Sequence, residues 1–248
     1  MNAPFRLPGT PLDPSNPINR GLVGWWPMWE GAGGKTLDIS GNNNHGTLTN
    51  GPLWAGGGLS FDGANDYIAA GGADIPPPAT MAAWVYLNAR SGIGAPVFGK
   101  SNNYNSFRAE QYGSDAVGIT IAGVVDAVFS SPGYTVPLQT WTLLATNILS
   151  GTAANLYVNG RFSGSLTVSS GLVGWRDRIG ADSANFINGR VSNPRVWSRT
   201  LSAGEHAQLY VNPNIGLWVP DITRYYIPAA GGADVRSHII PAYMRIAA

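Results

Sequence analysis

Asn155-Leu156-Tyr157-Val158-Asn159-Gly160-Arg161-Phe162-Ser163-Gly164-Ser165-Leu166 decides the fold class. Asn159-Gly160 joins two strand-like runs and supplies the pair of positive-φ positions that a type I′ turn needs, so the segment predicts an antiparallel hairpin. Outward from it, short runs rich in β-branched and aromatic residues recur at Gly21–Trp29, Thr80–Leu87, Val117–Ile121, Val124–Phe129, Thr140–Ile148 and Val191–Trp197, each broken by Gly, Asn or Pro. One helix stands out, Leu201–Tyr210. Ser202 and Glu205 have capping-box spacing, and Leu201, Leu209 and Tyr210 give it an apolar face. Many short strands and one short helix predict an all-β, two-sheet sandwich rather than an α/β fold. The pentapeptide GLVGW occurs at 21–25 and again at 171–175, but nothing else repeats with it, so it reads as a chance echo.

The 248 residues are enough to bury a full core in one domain. Only 12% are charged and the formal net charge is +1, which excludes a nucleic-acid binder working through a basic field and a highly charged disordered chain. With no Cys, disulfide staples, thiolate zinc sites and a Cys nucleophile are excluded. No stretch approaches the ~20 apolar residues of a membrane span, and residues 1–20, with five prolines, have no apolar run of signal-peptide length. Three regions separate by composition: a Pro-rich, extended N-terminal arm at 1–20, a β body at 21–212, and an aromatic, Pro-containing C-terminal arm at 213–248. Trp218, Tyr225, Tyr226, Ile239, Ile240 and Tyr243 of the last region need cover, either from their own body or from a neighbouring subunit.

Four segments carry a family resemblance. They are Gly21-Leu22-Val23-Gly24-Trp25-Trp26-Pro27-Met28-Trp29-Glu30-Gly31-Ala32-Gly33, Leu37-Asp38-Ile39-Ser40-Gly41-Asn42-Asn43-Asn44-His45-Gly46-Thr47-Leu48, Gly58-Leu59-Ser60-Phe61-Asp62-Gly63-Ala64-Asn65-Asp66-Tyr67-Ile68, and the late run from Asn188 to Ser202. In this order, across residues 21–211, the chain resembles the laminin-G-like, concanavalin A-like lectin/glucanase jelly-roll family in the form found in bacterial and bacteriophage structural proteins. The resemblance implies two stacked antiparallel sheets closed by the helix. It also implies a calcium ion at a sheet rim, with Asp38, Asp62 and Asp66, aided by Asn42 or Asn44, as its oxygen ligands. Ser192 and Asn193 stand where the family's late motif often carries acids. The alternative is that Asp38 and Asp62 cap turns.

Catalysis finds little support. Glucanase members of the family pair carboxylates at E-x-D-x-x-E spacing, whereas this chain has only Glu30, Glu110 and Glu205, far apart. It also lacks a nucleophile elbow, a P-loop and a dinucleotide fingerprint. His45, His206 and His238 are too dispersed for a zinc site. For glycans, aromatic rings stack on sugar faces. Trp25, Trp26, Trp84, Trp141 and Trp197 fall in strands and are expected to fill the sandwich, which leaves Trp54 and Trp175, in Gly-flanked loops, as the platform residues. Together these features predict a non-enzymatic virion structural protein. In this reading it is a bacteriophage capsid-decoration or surface protein that contacts other capsid proteins and further copies of itself through its arms and contributes to adhesion to surface glycans. The alternatives are a carbohydrate-binding or adhesion module of a bacterial cell-surface protein and, third, a glycoside hydrolase.

Overall fold

The computed structural model describes residues 12–130 and 133–217. Its sixteen strands among these residues form two antiparallel eight-stranded sheets. The first runs β14 (Arg161–Thr167), β13 (Ala153–Val158), β12 (Thr142–Ser150), β7 (Ala79–Leu87), β16 (Asn188–Trp197), β5 (Leu59–Asp62) and β4 (Leu53–Trp54), with β1 (Leu22–Trp25) paired to β16 off that path. The second runs β11 (Val125–Val128), β10 (Gly118–Ile121), β9 (Ser106–Glu110), β8 (Ala95–Gly99), β15 (Arg178–Ile179), β6 (Tyr67–Ala69), β3 (Gly46–Thr49) and β2 (Lys35–Thr36). This is the expected jelly-roll sandwich. The hairpin forms as read: Val158 pairs with Arg161, and Asn159 and Gly160 take φ of 49° and 77°.

Alternation sorts each strand's side chains between the inter-sheet core and the outer face. Met81, Ala83, Val85 and Leu87 of β7 point inward with Leu59, Phe61, Val191 and Leu144, facing Phe98, Phe107, Ile119 and Ile179 of the second sheet. The other face of β7 starts a second, smaller core. There Ala82 and Trp84 meet Leu143, Trp197 and Trp25, and α1 (Ala203–Val211) covers them with Leu209. Of the five tryptophans expected in strands, Trp26 alone lies between the sheets. Trp25, Trp84 and Trp197 are buried in this second core, and Trp141 is half-buried on the outer face. The helix has the predicted capping box, with Ser202 accepting from the Glu205 amide and the Glu205 carboxylate accepting from the Ser202 amide.

The inner ends of both terminal regions join this second core. Pro17–Asn19 form a 3-10 turn that buries Ile18, whose carbonyl accepts from Trp197 Nε1 at 2.7 Å. Leu12 pairs with Leu217, and Asn19 Nδ2 donates at 2.7 Å to the carbonyls of Asp13 and Gly216. Thus 12–20 and 213–217, read from sequence as arm, lie on their own body because Ile18 and Leu217 have apolar surface to cover there. The outer parts, 1–11 and 218–248, with Trp218 and the tail tyrosines, lie outside the described residues.

His206 anchors α1 to the sheet. It is fully buried, stacks on Tyr157 at 3.8 Å between ring centroids, and has Nε2 3.1 Å from Asn147 Oδ1. Burial, with Arg199 nearby and only partly countered by Glu205, pushes its pKa from 6.5 down to about 4. The folded ring stays neutral where the unfolded one would bind a proton. Stability therefore declines as pH falls from 6.5 to 4, by about 3 kcal/mol in all. Urea unfolding at pH 7, 5.5 and 4.5 is expected to show this slope, and His206→Gln is expected to flatten it. The same slope in both proteins would refute the assignment.

Candidate functional site

A buried polar cluster lies on the outer side of the second sheet. In β9, Phe107 and Ala109 turn to the core, so Ser106, Arg108 and Glu110 share the opposite face. Arg108 is 2% exposed, and its Nη2 lies 2.5 Å from Asp182 Oδ2 of the fully buried Asp182. Ser106 Oγ bridges them, 2.7 Å from Arg108 Nε and 3.2 Å from the same Asp182 oxygen. Asp182 Oδ1 accepts from the amides of Ala184 and Asn185 and from Asn185 Nδ2, which turns the loop after β15 over the sheet. Glu110, also fully buried, accepts from the amides of Ser91 and Gly92 and so holds the loop before β8. Arg108 Nη1 donates to the Ile93 carbonyl of that loop. Gly94 makes room for it: at its φ of 102°, a Cβ would fall 2.1 Å from Arg108 Nη1.

Together these loops and strands enclose an open cleft of about 500 Å³. Its floor carries Arg108, Thr120, Asp126 and Asn185. Thr120 Oγ1 lies 2.6 Å from Asp126 Oδ1 and 3.0 Å from Gln111 Oε1. Its rim carries Tyr104 and Tyr112, 50% and 62% exposed, with Ile93 and Val124 beside them. Exposed ring faces over a floor of fixed donors and acceptors are the arrangement a sugar ring needs. The Arg108 charge is matched by Asp182 beneath it, and Asp126 is the only carboxylate among the lining residues.

None of the residues singled out from sequence enters this cleft. Trp175 is 0% exposed and lies in the inter-sheet core, so it offers no platform: a Gly-flanked loop position is not thereby a surface position. Trp54 is half-buried on β4, with Nε1 donating to the Gly33 carbonyl at 2.8 Å and its ring packed against the core. The calcium trio is divided. β3 pairs with β2 at Gly46 and with Tyr67 of β6 at Thr49, which puts Asp38 beyond one end of β3 and Asp66 beyond the other.

Both Asp38 oxygens are already engaged, Oδ1 by the amides of Trp25 and Ser40 and Oδ2 by the amide and side chain of Asn44. Asp62 and Asp66 are neighbours. The Ala64 amide in particular holds the Asp62 carboxyl below its usual range, whereas burial, with Asp62 adding to it, raises Asp66. Among the described residues no group of three His, Asp or Glu converges. The residues present do not fit the rim calcium that the resemblance implies. Melting in excess chelator and in millimolar calcium is therefore expected to give one midpoint, and a rise of several degrees with calcium would reverse this reading.

The three glutamates are committed elsewhere. The Leu37 amide donates to Glu30 Oε1 at 2.7 Å, Glu110 holds its loop, and Glu205 caps α1 and pairs with Arg199 Nη2 at 2.5 Å. Arg108, Asp182, Tyr104 and Tyr112 were missed in the sequence. The one available signal was the alternation of Ser106-Phe107-Arg108-Ala109-Glu110, which places two opposite charges on one face of a strand. No helix among the described residues is long and apolar enough to cross a membrane.

Comparison with known proteins places this geometry in context. No curated protein sequence matches the chain. Among solved structures it is similar to domain 4 of an extracellular GH43 arabinanase from Geobacillus stearothermophilus, solved with arabinotriose. The identity is 17%, the TM-score 0.59, and the match covers 76% of this chain and 98% of that one. A Trypanosoma rangeli sialidase matches at 15% identity and TM-score 0.57, over 83% of this chain but 36% of its own. The binding domain of botulinum neurotoxin serotype D matches at 11% and 0.55, over 86% and 55%. These likenesses are of fold. The family model for the concanavalin A-like lectin/glucanases superfamily matches residues 62–205, which include β9, β10, β11 and Asp182, and the chain belongs to that superfamily.

Proposed function

We propose that this chain is a non-catalytic carbohydrate-binding domain whose ligand lies in the cleft between Tyr104 and Tyr112. The observation that carries the reading is the convergence there of two exposed tyrosines over Arg108, Thr120, Asp126 and Asn185. A non-catalytic role is supported by the engagement of all three glutamates and by Asp126 being the only carboxylate lining the cleft, since glycoside cleavage ordinarily uses two. The similarity to an arabinanase domain solved with arabinotriose makes neutral oligosaccharides the first probes. On a glycan array the full chain is expected to retain a defined set of glycans. Tyr104→Ala and Tyr112→Ala are each expected to weaken binding about tenfold, through loss of one ring of stacking. Unchanged binding in both variants, or no retained glycan, would overturn the proposal, and release of reducing ends would overturn its non-catalytic part.

The setting proposed for this domain is a virion surface, with capsid proteins and further copies of the chain as partners. One feature supports it: Leu12 and Leu217 pair, so the two limits of the described body lie side by side, where a double tether could start. Removal of 1–11 and of 218–248 is expected to abolish attachment to phage heads while leaving the body folded. Normal attachment of both truncations would remove the virion setting and leave the adhesion module of a bacterial cell-surface protein.

A further inference from the structure

A second surface lies on the outer face of the first sheet, away from the cleft. The strand registers set five residues in one line across it. Leu53 pairs with Ser60, Ser60 with Arg190, and Arg190 with Tyr86. Trp141 stands just before β12, one step beyond the Val85–Thr142 pair, and so continues the line opposite Tyr86. Strands lie about 4.8 Å apart, so the four steps span roughly 19 Å. The helix and the inner terminal segments cover the other half of this face; Trp141 packs against the edge of that second core, and the rest of the line lies beyond it. Leu53 is 70% exposed, and Ser60, Arg190, Tyr86 and Trp141 are all half-buried.

At the centre of the line stands Arg190. Its guanidinium carbon lies 5.1 Å from the Tyr86 ring centroid, and Tyr86 in turn meets Trp141 at 5.6 Å. Among the described residues no carboxylate comes within ion-pair distance of Arg190, and its buried Nε has no hydrogen-bond partner. Arg195, the other arginine facing out from β16, spends its guanidinium on backbone carbonyls. Two residues along each strand from Arg190 and Ser60, Asn188 and Asp62 pair on the same face, and Asn188 is joined to Asn88 by a side-chain hydrogen bond. Asp62 turns Oδ1 to its own loop, accepting from Ala64 and Asn65.

We infer that this line is a second binding surface, for a carboxylate-bearing oligosaccharide laid across the strands. Arg190, seated on the Tyr86 ring, takes the carboxylate with its planar fork, Trp141 offers a ring face, and Ser60, Asn88 and Asn188 meet hydroxyls. An unpaired guanidinium stacked among aromatics selects an acidic ligand over a neutral one, in contrast to the charge-matched cleft on the other sheet. The inference does not depend on the cleft.

The test is calorimetric titration of the full chain with a galacturonic acid hexamer and, separately, with arabinose and xylose hexamers. Uronate binding is expected, weakened at least tenfold by Arg190→Met and by Trp141→Ala, with Arg190→Lys in between. Tyr104→Ala should leave it unchanged, and urea midpoints of the variants show that each is folded. Asp62→Asn is expected to strengthen uronate binding about twofold by removing a like charge. Absence of uronate binding, or equal binding by the folded Arg190→Met variant, overturns the inference whatever the cleft does with neutral sugars. So does a dimer in sedimentation that Trp141→Ala dissolves, which would assign the line to a second copy.

Discussion

Asp182→Ala is expected to destabilise the domain by about 3–5 kcal/mol, because it leaves the Arg108 guanidinium buried without its counter-ion. The loss extends beyond one pair. The amides of Ala184 and Asn185, the Asn185 side chain and Ser106 Oγ lose their acceptor too, so the loop over the cleft is released along with the floor. For a domain of this size the expected drop in Tm is roughly 10 °C. Asp182→Asn keeps the shape and part of the hydrogen bonding, and should cost less. The double variant Asp182→Ala with Arg108→Met should recover part of the loss, because the stranded charge goes with the residue that carried it. Urea unfolding of the three variants decides the matter: a cost below about 1 kcal/mol for Asp182→Ala would mean that water reaches Arg108 and the floor is not the rigid base described above.

The second large effect is expected at Arg195. Its guanidinium is wholly buried and burial pulls its pKa well below the ordinary arginine value, yet no carboxylate answers it among the described residues. It lies 3.5 Å from the Trp25 ring centroid and donates to the carbonyls of Ile215, at 2.9 Å, and Pro213. Asn193, at a φ of 56°, donates to the Pro213 carbonyl as well and accepts from Trp25 Nε1. Arg195→Ala would leave the Ile215 carbonyl without its donor, leave the Pro213 carbonyl to Asn193 alone, and remove the stacking. The expected cost is about 3 kcal/mol, at about 1–3 for the stranded acceptor plus the lost cation–π contact. It should also free 213–217 from the body, which limited proteolysis reads separately as new cleavage in this segment. Loss of stability without that cleavage would place the effect in the second core rather than in the segment.

The hairpin and the helix cap were legible because their signals are local, whereas β8 and β9 carried no such signal. Asn159-Gly160 needs nothing beyond itself to set a turn, and the Ser202–Glu205 capping box closes within one turn of helix. The cleft was not legible, because Arg108 and Asp182 meet across 74 residues of sequence and neither sits in a recognisable motif. Buried polar partners of this kind are set by topology, which spacing alone does not give. The tryptophans show the same limit from the other side. GLVGW at 21–25 lies mostly in β1 and buries Trp25 in the second core, while the same five letters at 171–175 form a loop that buries Trp175 between the sheets. The sequence placed Trp25 in the sandwich and left Trp175 as a surface platform, whereas packing buries both, in different cores.

The pairing of Leu12 with Leu217 has a mechanical consequence. Those two residues pair antiparallel at the limits of the described body, so tension drawing them apart would load Leu12–Leu217, then Asp13–Gly216, then Asn19, one after another. The connection would open like a zip at low force, and the sandwich behind it would be strained only after these fastenings had parted.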